Sequence, residues 1–183
     1  MTKVKIKYKL RKFKKTDIDS IANHANNKNI AKFLTNEFPF PYTKRDAEFF
    51  INIVSKESPT KTFCIEVNGE AAGAIAITPQ MGNEHISKEN SDTPINICNK
   101  QAELGYWLAE KYWNNGIITS AIKEIVNYGF ETFNINCVFA TPFIPNLASQ
   151  RVLSKVGFFS NLEKEKIRKN NELYEVFVYS ISK

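Results

Sequence analysis

The chain has 183 residues, the span of one domain, and its 43% hydrophobic and 13% aromatic residues supply one core without metal or disulfide support. That composition excludes disorder and collagen-like repetition, and no apolar run approaches the roughly 20 residues of a membrane helix. The formal charge of +6 suggests a polyanion partner, yet eight of the 25 cations fall in the first fifteen residues, where there is no acid, and the rest of the chain is slightly acidic.

Those cations alternate with apolar residues from Lys5 to Arg11, which predicts a half-buried edge strand with a charged solvent face; a polyanion-docking arm is the rarer use of such a pattern. Thr16 and Asp17 read as the cap of a helix with Ile18, Ile21, Ala22 and Ala25 on one stripe, and a short helix follows near 29–34. Pro39 and Pro41 force the 38–42 segment into extended geometry, after which Thr43 caps a helix to about residue 56. Strands over 63–67 and 71–78 flank an Asn68-Gly69 turn. The 79–100 stretch is polar and aperiodic, and reads as a long loop inserted in the sheet.

A strand over 101–108 and a helix from about residue 116 come next, then a short strand at 137–141. A helix over 146–156 is stopped by Gly157, and strands over 158–167 and 172–181 close the chain. The expected architecture is one α/β domain over residues 1–183, with a mixed, mostly antiparallel sheet of about seven strands flanked by helices. Cys64, Cys98 and Cys137 stand singly, which fits a reducing cytoplasm, and neither a signal peptide nor a transit peptide is expected. His24 and His85 lie far from other ligand types, so no metal site is expected. The nucleophile elbow of the α/β hydrolases, the P-loop and the three-glycine dinucleotide turn are all missing.

Chemistry gathers at Glu103-Leu104-Gly105-Tyr106-Trp107-Leu108 and Lys111-Tyr112-Trp113-Asn114-Asn115-Gly116-Ile117-Ile118-Thr119, a strand, a turn and a helix. The first amides of a helix lack intrahelical acceptors and sit at the positive end of its dipole, so they bind phosphate. Asn-Asn-Gly tolerates left-handed backbone, which lets further amides point inward. The same dipeptide serves ordinary turns, and both readings stand on these residues alone.

This segment resembles the acyl-CoA motif of the GCN5-related N-acetyltransferases (GNAT), specifically the RimJ/RimL branch, with its Gly-Tyr-Trp-Leu and Tyr-Trp-Gly-x-Gly-x-Ala-Thr. Asn146 to Phe158 is similar to that branch's Asn-x-x-Ser-x-Arg-Val-Leu-x-Lys-x-Gly-Phe, and Pro39 to Ile51 to its Pro-x-Pro-Tyr-Thr-x-x-Asp-Ala-x-x-Phe-Ile. The blocks occur in family order over essentially the whole chain. Two positions depart: Asn114 replaces the first glycine of the phosphate loop, and Ile118 replaces a small residue near the pyrophosphate path. Leu153 stands where much of the superfamily has the tyrosine that protonates the thiolate.

The resemblance implies transfer of acetyl from acetyl-CoA to a primary amine, most nearly a protein or peptide α-amine. Glu103 is the candidate base, acting through a water, or else a carboxylate paired with a cross-strand cation. Leu108 lends a main-chain amide to the thioester oxygen at a strand bulge. Trp113, Asn114, Asn115, Gly116, Ile117, Ile118 and Thr119 hold the cofactor phosphates, and Asn146 the pantetheine amide. Ser149 binds or protonates the leaving sulfur, or else serves as a small packing residue. Phe38, Phe40 and Tyr42 line the acceptor side, which lacks an obviously acidic cleft. The cysteine usage and the short apolar runs lead to the expectation of a cytoplasmic monomer or homodimer without a membrane partner, and a nucleic-acid module, resting only on the basic amino-terminal strand, is the third reading. A small amine or aminoglycoside acceptor, and a noncatalytic CoA-binding homologue, are the alternatives.

Overall fold

A computed structural model describes residues 6–81, 95, 97–160 and 162–183. Strand β1 (Tyr8–Arg11) leads through a 3-10 turn (Lys15–Asp17) to helices α1 (Ile18–Ala25), α2 (Lys28–Ala31) and α3 (Lys44–Val54). Strands β2 (Thr62–Val67), β3 (Glu70–Met81) and β4 (Lys100–Leu108) follow, then a 3-10 turn (Glu110–Tyr112), helix α4 (Ile117–Thr132), strand β5 (Cys137–Ala140) and helix α5 (Leu147–Val156). Strands β6 (Lys164–Lys169), β7 (Glu172–Phe177) and β8 (Tyr179–Ser182) complete the chain. Six strands form one sheet in the order β1-β2-β3-β4-β5-β8, and β6 and β7 form a separate hairpin. Every neighbouring pair is antiparallel except β4 with β5.

Local chemistry explains most boundaries. Thr43 and Asp46 form a reciprocal capping box at α3, whose Ala47, Ile51 and Val54 are buried at helical spacing. Asn146 accepts the Ser149 amide at the start of α5, and Gly157 ends that helix with φ +106°, where a side chain is strained. One apolar cluster lies between the sheet and α4 and α5, around Ile75, Ile77, Ile122, Ile125 and Leu153. A second lies on the opposite face beneath α1 and α3, around Phe13, Ile21, Tyr42 and Ile51.

Several expectations are corrected. The closing strand expected over 172–181 is two strands, because residues up to Phe177 pair with β6 and those from Tyr179 pair with β5; a period-2 pattern does not reveal a change of partner. The charged face of β1 is only partly solvated: Lys9 pairs with Glu66 at 2.8 Å, and Arg11 is half-buried between Glu66 and Asp17. Asp17 therefore serves Arg11 and the Lys14 amide rather than capping α1 with its side chain.

Cys98 and Cys137 do not stand singly but form a disulfide across 39 residues, while Cys64 is free and buried. β3 runs beyond the expected loop boundary to Met81, and the expected 79–100 loop lies largely outside the described residues. Its returning end is held by buried Gln101, whose amide donates to Gln80 Oε1 and Ile95 O and whose Oε1 accepts from the Ile97 amide. No helix among the described residues is long and apolar enough to cross a membrane.

Candidate functional site

Two features of β4 create the site. Toward β5 it pairs only over Gln101↔Cys137, Ala102↔Val138 and Glu103↔Phe139; the five residues after Glu103 have no strand on that side among the described residues, so the sheet opens. Toward β3 the register is unbroken from Gly73↔Leu108 to Met81↔Lys100, so the bulge expected near Leu108 is not there. The amide is presented without it. Ala109 N–H donates to Ala72 O at 2.7 Å, and alternation of an antiparallel ladder then turns the Leu108 amide away from β3, into the opening. Leu108 O points the same way, since it accepts from Trp113 Nε1 at 2.7 Å.

Period 2 divides the side chains of β4 between two faces. Leu104, Tyr106 and Leu108 pack with Ile117, Ile122 and Leu153, on the side of α4 and α5. Trp107 packs with Tyr42, Ala47 and Ile51, beneath α1 and α3, and Glu103 shares its parity. A cleft of about 1260 Å³ passes through the opening and joins both sides.

On the α4 side, Asn114 (φ +61°) and Gly116 (φ +74°) give the left-handed backbone expected of the loop, directly before a 16-residue helix. The Asn115 side-chain amide donates to Tyr112 O and Trp113 O, which fixes the turn. Trp113 through Thr119 all line the cleft, and Ile118 is half-buried against the core while lining it. Asn146 and Ser149 line it from α5, and Ser149 Oγ lies 2.7 Å from Tyr106 Oη. Arg151 and Lys155, which sequence reasoning passed over, line the cleft from the same helix and add positive charge there. Leu153 is fully buried and faces the core.

On the other side, Phe38 stacks against Tyr42 at 4.8 Å and meets Trp107 edge-on at 5.8 Å between ring centroids. Phe38 and Tyr42 line the cleft; Phe40 is 50% exposed and does not. Phe49, Phe50 and Ile53 of α3 extend the apolar wall. Burial is the main reason that the Glu103 carboxyl is pushed above its usual range, and the negative charge of Glu37 adds to it. Its register partners are Thr78 and Phe139, so neither neighbouring strand supplies the cross-strand cation of a structural ion pair. Glu37 lines the same cleft, which makes the acceptor side more acidic than the sequence suggested. No motif marks Glu37, because only the folded 32–43 segment brings it toward β4.

The two sides are tied together by Glu70 at the start of β3. It accepts from Tyr112 Oη and pairs with Lys111, both at 2.5 Å, and lies 3.2 Å from His24 Nε2 of α1. Lys111 and Tyr112, with a smaller contribution from His24, hold its carboxyl down at about 2. Its stabilising effect is complete above the ordinary carboxylate value of 4.5 and is lost as pH falls toward 2. Glu70→Gln removes that dependence, so the thermal midpoint of the variant falls less steeply than wild type between those two pH values; equal slopes contradict the assignment.

Residues 7–159 match the model of the acetyltransferase (GNAT) domain. The uncharacterized N-acetyltransferase YoaA of Bacillus subtilis is 34% identical over 46% of this chain, a match that spans only 48% of that protein. The uncharacterized N-acetyltransferase p20 of Bacillus licheniformis is 28% identical over 95% of this chain and 92% of its own length. Among solved structures, Mycobacterium smegmatis RimJ in complex with CoA-disulfide superposes with a TM-score of 0.75 at 18% identity, covering 96% of this chain and 81% of that one. With the opened β4–β5 pair and the left-handed turn before α4 in place, the family match fixes the relationship: the chain belongs to the GNAT family of acetyltransferases.

Proposed function

We propose that this protein transfers acetyl from acetyl-CoA to a primary amine, with a protein or peptide α-amine as the acceptor class. The observation that carries the reading is Glu103, a half-buried carboxylate without a cross-strand cation, lining the cleft where the sheet opens and within electrostatic reach of Glu37. An α-amine has a pKa of about 7.7 to 8.0 and must shed a proton to attack, which a carboxylate raised above its usual range accepts more readily, directly or through water. The Leu108 amide meets the charge that develops on the thioester oxygen. The amides of 115–119 hold the pyrophosphate, Trp113 and Asn114 shape that loop, Asn146 holds the pantetheine amide, and Ser149 faces the sulfur.

Phe38 and Tyr42 form the acceptor wall, with Phe40 left outside it. The relationship to RimJ supports a peptide end as acceptor. Glu37 favours a second reading, a small amine carrying further positive charge. Residues 1–183 act as one catalytic domain, as monomer or homodimer, in the cytoplasm where acetyl-CoA is available.

Release of free CoA thiol from acetyl-CoA, followed against peptides with varied first residues, polyamines, aminoglycosides and other small amines, tests both readings. Turnover with peptides supports the first, turnover with small amines alone supports the second, and acetyl-CoA binding without release for any amine contradicts both. Glu37→Gln lowers the Glu103 pKa and moves the acid limb of the acceptor kcat/KM profile to lower pH, because the base then stays ionised further down. It also raises the acceptor KM several-fold and leaves the KM for acetyl-CoA unchanged. An unmoved acid limb removes Glu37 from the site.

A further inference from the structure

Tyr106 is a half-buried phenol on the α4 and α5 face of β4, and the proposed acceptor chemistry gives it no task. Its Oη lies 2.7 Å from Ser149 Oγ, although the two residues are 43 positions apart, and both line the cleft. The Ser149 backbone is itself fixed, since its amide donates to the capping Asn146 side chain. We propose that Tyr106 positions Ser149 for the leaving group: its hydroxyl donates to Ser149 Oγ and thereby leaves the serine proton directed at the departing sulfur. The inference rests on the reading of Ser149 as the residue that faces the thioester sulfur.

The step balances without any further reagent. The amine nitrogen forms the C–N bond, the C–S bond breaks, and its electron pair stays on sulfur. The proton from nitrogen leaves by way of Glu103. The Ser149 hydroxyl hydrogen-bonds the sulfur while its charge builds, and the thiolate takes a proton from water. Tyr106 keeps its own proton throughout, because burial pushes its pKa up to about 12, well above the roughly 8.5 of a thiol. A phenol that does not ionise is a fixed donor, which is what orienting a freely rotating serine hydroxyl requires. Leu153 is fully buried and has no proton to offer, so stabilisation of the departing sulfur falls to the Ser149 hydroxyl and its protonation to water.

Tyr106→Phe, Ser149→Ala and the double variant test the pair in the thiol-release assay at saturating acetyl-CoA. Tyr106→Phe keeps the ring and removes one hydroxyl, so the expected result is a kcat about tenfold lower, with both KM values within about twofold of wild type. Because the two residues act as a unit, the double variant is no more than about twofold slower than Ser149→Ala alone. A product of the two single losses, an unchanged kcat for Tyr106→Phe, or a rise in KM without loss of kcat overturns the proposal. Should Tyr106→Phe not fold, Ser149→Ala decides: a lower kcat at constant KM supports the pair, and an unchanged kcat overturns it. Absence of thiol release by the wild-type protein for every amine contradicts the underlying function and is read separately from these comparisons.

Discussion

Glu103→Gln lowers kcat by about 10²-fold or more at neutral pH, with little change in the thermal midpoint, because the amide keeps the shape and loses the base. The sign of the pH dependence follows from the direction of the shift. Burial and the charge of Glu37 raise the Glu103 pKa above 4.5, so the wild-type enzyme loses activity as pH falls through that raised value and the base becomes protonated. The glutamine variant has no such limb. Its shortfall shrinks as pH rises toward the pKa of the amine, about 8 for a peptide end, where more of the acceptor is already neutral. A loss of the same size at every pH assigns Glu103 a structural part instead.

Gly116→Val weakens acetyl-CoA binding by about 10²-fold, measured by calorimetry. Space is not the obstacle, since a Cβ built on Gly116 meets no atom within 4 Å. The obstacle is φ of +74°, a left-handed conformation that a β-branched residue occupies only at a cost of about 1 to 3 kcal/mol. Relaxing that strain rotates the amides at the start of α4 away from the position in which they converge. Gly116→Asn, which tolerates left-handed backbone, keeps most of the affinity and so separates backbone conformation from side-chain bulk. Unchanged affinity in a folded Gly116→Val protein places the pyrophosphate elsewhere.

Much of this was legible in the sequence wherever a local rule determines the outcome. Thr43 and Gly157 act as the helix cap and stop that their positions predicted, because such boundaries depend on residues within one turn. Asn114 and Gly116 were readable for the same reason. Illegible were the features made by distant partners. Tyr106 sits inside a quoted motif, yet its meaning comes from Ser149, which only the packing of α5 supplies. Arg11 followed the strand alternation but found Glu66 and Asp17, so its predicted exposure failed through tertiary pairing. Phe40 was grouped with Phe38 and Tyr42 by proximity in the chain, whereas the turn through Pro39 and Pro41 sends it outward. Cys98 and Cys137 looked unrelated because strand pairing, not spacing, brings them together.

The division of β4 into two faces carries a consequence for the order of events. Glu103, the proposed base, faces one side of the strand, and the hydroxyl pair proposed for the sulfur faces the other. Ser149 leans on a phenol that holds its proton, and among the described residues no general base is hydrogen-bonded to its hydroxyl to make the serine a nucleophile. Nothing in that geometry can store the acetyl group between one substrate leaving and the next arriving. On the proposed function, donor and acceptor occupy the protein together, each on its own side of the sheet, and the acetyl group passes between them in a single displacement through the opening that β5 leaves after Glu103.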